Sequence, residues 1–76
     1  MTLDLLPLGQ EAVITAVGGA GALRLRLLDM GLIPKTTVRV EKIASLGDPI
    51  ELRVRGYALS LRKEDARNIS AEVTQA

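Results

Sequence analysis

The chain has 76 residues, 47% of them hydrophobic and 25% charged, with a net charge of +1; this is the composition of one folded domain with a thin core, not of a disordered segment. It contains no cysteine and no histidine, which excludes disulfides, thiolate metal sites, the usual general base and the imidazole metal ligand. The near balance of charge argues against non-specific nucleic-acid binding, which needs a basic footprint, and no apolar run approaches the ~20 residues that span a bilayer.

The start, Met1-Thr2-Leu3-Asp4, lacks the basic run of a secretory signal, so a cytoplasmic location is expected. Thr2 is placed to cap a short turn through Leu3-Asp4-Leu5-Leu6, which Pro7 stops. Leu3, Leu5, Leu6 and Leu8 need cover, and the segment is a candidate lid for part of the helix that follows. Pro7-Leu8-Gly9-Gln10 has the composition of a turn. Glu11 to Val17 is rich in β-branched residues and predicts the first strand. Both of its faces are rather apolar, as in a central strand with cover on each side. Gly18-Gly19-Ala20-Gly21 lies between strand and helix, but its spacing is not GxGxxG and no GK[ST] follows, so a flexible connection is a better reading than a phosphate cradle.

The one clear helix is Ala22-Leu23-Arg24-Leu25-Arg26-Leu27-Leu28-Asp29-Met30, ended by Gly31, with Pro34 blocking any continuation. Leu23, Leu27 and Met30 share one stripe, which should face the core. Leu25 and Leu28 form a second apolar ridge on the far side. A small domain buries one such ridge against its sheet; the other is covered by the N-terminal segment or by a partner.

Leu32-Ile33 is an apolar exit, followed by a turn with Pro34 at its second position. Thr37 to Ala44 predicts the second strand; Val38 and Val40 share a face, Ile43 is out of phase, and a bulge near Glu41-Lys42 would restore the register. Ser45-Leu46-Gly47-Asp48-Pro49 is a loop by composition. Ile50-Glu51-Leu52-Arg53-Val54 and Tyr57-Ala58-Leu59-Ser60-Leu61 both alternate strictly around the two-residue loop Arg55-Gly56. This predicts a hairpin in which Val54 faces Tyr57, Leu52 faces Leu59 and Ile50 faces Leu61. Arg62 to Ala66 reads as one helical or 3₁₀ turn, Asn68 to Val73 as the closing strand, and Thr74-Gln75-Ala76 as a tail. The expected architecture is mainly β: a small SH3-like β-barrel of about five strands with one α-helix inserted after the first strand. It forms a single domain over residues 1–76 with its core in 2–73. Full closure of the barrel would remove exposed strand edges.

Several stretches in order carry a family resemblance: Leu27-Leu28-Asp29-Met30-Gly31-Leu32, Pro34 and Thr36, Gly47-Asp48-Pro49-Ile50, Arg55-Gly56-Tyr57, Leu59-Ser60-Leu61-Arg62, and Glu64 with Ala66. With the opening Leu3-Asp4-Leu5-Leu6-Pro7-Leu8-Gly9, the chain resembles the FeoA family of ferrous iron transport proteins over about residues 2–73. The resemblance implies a small cytoplasmic accessory protein of bacterial ferrous iron uptake whose partner is FeoB, a membrane transporter with a cytosolic GTP-binding domain. It would meet the membrane only through that partner. The family commonly has glycine after the proline of the turn, where this chain has Lys35; lysine disfavours positive φ, so a type I turn is expected there.

The candidate partner-binding surface is the second ridge and the apolar exit, Leu25, Leu28, Leu32 and Ile33, rimmed by Arg24 and Arg26. No catalytic, cofactor or metal site is expected: among the carboxylates only Glu64 and Asp65 are adjacent, and no nucleophile is paired with a base. An arginine acting on a partner's GTPase site needs no pocket, and Arg24, Arg26 and Arg55 are the candidates. The alternative is an SH3-like nucleic-acid-binding or transcription-regulator-associated module, using Arg53, Arg55, Arg62, Lys63 and Arg67. Against it, Glu51, Glu64 and Asp65 are interleaved and Tyr57 is the only aromatic residue, so no stacking platform exists. SH3-like domains of this type also occur at the C-terminus of iron-dependent repressors. A weak homo-oligomer is left open.

Overall fold

The computed structural model describes residues 1–74. In chain order it contains a 3₁₀ turn at Leu3–Leu5, β1 (Glu11–Val17), α1 (Gly21–Asp29), β2 (Thr37–Ile43), β3 (Ile50–Val54), β4 (Tyr57–Leu61), α2 (Lys63–Ala66) and β5 (Ile69–Val73). The strands form one antiparallel sheet of five, ordered β4-β3-β2-β1-β5. The expected mainly-β architecture with one helix after the first strand is present. The closing ladder is not: β4 and β5 stand at the two edges, no ladder joins them among the described residues, and α2 connects them.

The β3–β4 hairpin has the predicted register, Val54 opposite Tyr57, Leu52 opposite Leu59 and Ile50 opposite Leu61. Arg55 and Gly56 take φ of 51° and 87°, the pair of positive values that a two-residue type I′ turn demands. Its apolar face continues across the sheet through Val38 and Val40 to Ile14, and the core forms between that face, Leu27 and Leu32 behind α1, and Leu3 and Leu6 of the N-terminal segment. Each fully buried leucine contributes roughly 1.5–3 kcal/mol by its removal from water.

Two bulges bend the sheet. The ladder between β2 and β3 shifts between Val40 and Lys42, where the phase of β2 had to change. It sets Ile43 opposite Ile50, although Ile43, at the strand end, stays 39% exposed. The second bulge lies in β1, between Ile14 and Ala16 against β5. It makes Ala12, Ile14 and Val17 the inward residues and leaves Thr15 and Ala16 exposed. β1 is therefore internal to the sheet, as expected, but covered on one face only; its apolar count misled because the bulge changes which residues alternate.

The N-terminal segment packs chiefly on α2 and β5 and not as a lid along α1. Its Leu3 and Leu6 are buried. Thr2 makes no cap to the backbone of the 3₁₀ turn; its hydroxyl donates to the Asp4 carboxylate. Thr2 also bridges Ser70, and the Ala71 N–H donates to the Met1 carbonyl at 2.7 Å, so these residues close the outer edge of β5. At the other terminus Thr74 is tied to β1 by its N–H and hydroxyl, both donating to the Glu11 carbonyl. Of the expected tail, residues 75 and 76 lie outside the described residues.

The turn after α1 differs from expectation. Lys35 has φ of 74°, and the Thr36 N–H donates to the Ile33 carbonyl at 3.2 Å, a turn of type II character rather than type I. Tertiary bonds outweigh the lysine's preference. The Lys35 N–H donates to the Ile14 carbonyl at 2.7 Å and the Ile14 N–H to the Thr36 carbonyl at 2.9 Å, extending the sheet through the turn.

Candidate partner-docking surface

α1 is fixed at both ends and along one side. At its start the Arg24 Nε donates to the Val17 carbonyl at 3.0 Å, tying the helix to the strand it leaves. At its end, Gly31 takes φ of 97°, its N–H donates to the Leu28 carbonyl and the Leu32 N–H to the Leu27 carbonyl. This is a Schellman cap, and its customary hydrophobic contact pairs Leu27 with Leu32, both fully buried. The Tyr57 hydroxyl donates to the Met30 carbonyl at 2.5 Å, fastening the same end to β4. Along the side, the Arg26 guanidinium meets the Asp65 carboxylate of α2 at 3.1 Å.

These restraints decide which predicted residues are available. Leu25 stands 61% exposed on the outward face. Leu28, its expected ridge partner, is half-buried and packs against the core. Leu32 is not a surface residue: the cap turns the chain inward after Gly31 and places its side chain in the core. Ile33 is half-buried in the turn that returns to β1, beyond the end of the helix. Arg24 and Arg26 are exposed and flank Leu25, while also holding the internal acceptors above. The ridge is thus narrower than expected: Leu25 with two arginines, and the edge of Leu28.

Beside it lies a groove of about 460 Å³, bounded by Arg26 and Met30 of α1, Ser60 and Leu61 of β4, and Arg62, Glu64 and Asp65 around α2. The spacing of Arg26 and Asp65 in the chain offers no local signal for this pairing. The groove carries both signs of charge, as the rim of a protein contact does. Among the described residues no group of three or more carboxylates is arranged to hold a metal ion.

Two of the arginines proposed for nucleic acid are engaged within the chain. Arg53 donates to Glu41 at 2.7 Å and to the Gly56 carbonyl, and Arg55 donates to the Thr36 hydroxyl at 3.3 Å. Thr36, one of the residues that carry the family resemblance, is a buried polar side chain satisfied by that bond.

The five-stranded antiparallel sheet with one helix after its first strand defines a small SH3-like domain. The FeoA domain model matches residues 1–73, and the chain belongs to that family. It is 42% identical over 73 residues to the Fe(2+) transport protein A/Fe(2+) transporter FeoB fusion protein of Porphyromonas gingivalis, covering 96% of this chain but only 9% of that much longer protein. The FeoA-like protein of Clostridium acetobutylicum superimposes with a TM-score of 0.92 at 34% identity, over 100% of this chain and 88% of that one. FeoA of Stenotrophomonas maltophilia, described as a prokaryotic SH3 domain protein, gives 0.84 at 28% identity, over 95% and 89%.

Proposed function

We propose that this chain is a cytoplasmic accessory protein of ferrous iron uptake that acts by docking on FeoB, with the outward face of α1 as its contact. The observation that carries this reading is the fusion in the Porphyromonas gingivalis relative, where a segment 42% identical to this chain shares one polypeptide with FeoB. Fusion holds two domains at high effective concentration, an arrangement useful when they work in contact. The exposed Leu25 between Arg24 and Arg26 supplies an apolar anchor with a charged rim, the pattern of a small interface. No helix among the described residues is long and apolar enough to cross a membrane, consistent with attachment through a partner.

The test is capture of detergent-solubilised FeoB, and separately of its isolated GTP-binding domain, with this chain as bait. The expected result is capture that Leu25→Glu abolishes while the far-UV circular dichroism stays unchanged. Leu25 suits this test better than Leu28, whose partial burial would mix lost contact with lost stability. Capture of neither species in either nucleotide state overturns the docking reading. Capture that survives Leu25→Glu moves the contact away from α1. Unchanged GTP hydrolysis by the captured domain would exclude an inserted-arginine role.

A further inference from the structure

The two edges of the sheet differ. On β5 the outer edge is closed by Met1 and Thr2. On β4 it is open. The β3–β4 ladder runs without a bulge, and a two-residue turn makes Val54/Tyr57, Leu52/Leu59 and Ile50/Leu61 the hydrogen-bonded pairs. The N–H and C=O groups of Ala58 and Ser60 therefore point away from β3, and among the described residues no other segment bonds to them. Exposed edges are usually blunted by lysine, proline or a bulge. β4, Tyr-Ala-Leu-Ser-Leu, carries none of these.

We propose that β4 pairs antiparallel with β4 of a second copy of this chain, giving a two-fold dimer with one sheet continuous through both subunits. The strand is self-complementary about Leu59. With Leu59 opposite Leu59 of the second copy, Ala58 faces Ser60, and both such pairs exchange backbone hydrogen bonds because these are the residues with outward groups. On the inward face Tyr57 then meets Leu61 on either side of the leucine pair, and on the outward face only small side chains meet. No charge lies within the paired strands. Beyond them the same register sets Arg55 opposite Lys63, a like-charge pair at each end. The dimer is therefore weak at low salt and strengthens as salt screens those ends.

This pairing needs no transporter and is tested on the purified chain alone. Sedimentation equilibrium should give a mass that rises from monomer toward dimer with concentration, more readily at high salt. The amide signals of Ala58 and Ser60 should shift along the same titration. Ala58→Pro removes an outward N–H without breaking the β3 ladder and should leave a folded monomer. A chain that stays monomeric at millimolar concentration overturns the proposal. So does a dimer in which the Ala58 and Ser60 amides do not move, or one that survives Ala58→Pro. Where that variant fails to fold, the amide shifts of the unaltered chain decide.

Discussion

At φ of 97°, Gly31 holds the left-handed position that ends α1, and a Cβ built there would lie 2.2 Å from the Tyr57 hydroxyl oxygen. Alanine at this site strains the backbone and displaces the hydroxyl from the Met30 carbonyl. Gly31→Ala should cost about 1–3 kcal/mol in urea unfolding, and the cost should shrink in a Tyr57→Phe background, where the displaced atom is absent. Lys35 is the opposite case, a side chain in a conformation that glycine adopts freely. Lys35→Gly should raise stability by up to about 1 kcal/mol, seen as a higher urea midpoint at unchanged slope. The need for glycine at position 31 was legible from the helix pattern before it and Pro34 after it. The strain at Lys35 was not, because it is imposed by Ile14, far away in the chain.

At the scale of elements, α1 separates two leucines as its helical periodicity predicts, one on the core-facing stripe and one on the far ridge. Leu27 is fully buried and Leu25 is 61% exposed. Leu27→Ala should cost about 2–5 kcal/mol, while Leu25→Ala should change stability by less than about 0.5 kcal/mol, both measured by denaturant unfolding. The hairpin was legible to the residue because its determinants are local: strict alternation on both arms and a glycine at the turn. The width of the candidate docking ridge was not. A heptad-like pattern marks which residues share a face of a helix, but the Schellman cap decides that Leu32 goes inward, and packing decides that Leu28 is half-covered.

At the scale of the molecule, the outward face of the sheet carries its charges in compensating pairs. Arg39 and Arg53 are directly opposite in the ladder, and each turns to a glutamate: Arg39 lies 3.8 Å from Glu11 and Arg53 2.7 Å from Glu41. These pairs are largely exposed and add little stability, but they leave no continuous basic track. Labelled duplex DNA and single-stranded RNA should therefore migrate unchanged with this chain at low salt; a retarded band would revive the nucleic-acid reading. The same scale holds the contrast between the closed β5 edge and the open β4 edge, which depends on where the N-terminal segment settles.

The sequence by itself determined the elements, their order, the hairpin register, the bulge in β2 and the family, because these rest on periodicity, turn chemistry and motif order along a short stretch of chain. Tertiary structure alone decided the bulge in β1, the positive φ of Lys35, the seat of the N-terminal segment on α2 and β5, and the pairing of Arg26 with Asp65. Each of these is settled by hydrogen bonds or packing between residues distant in sequence, whose combined free energy outweighs the local preference that the pattern records.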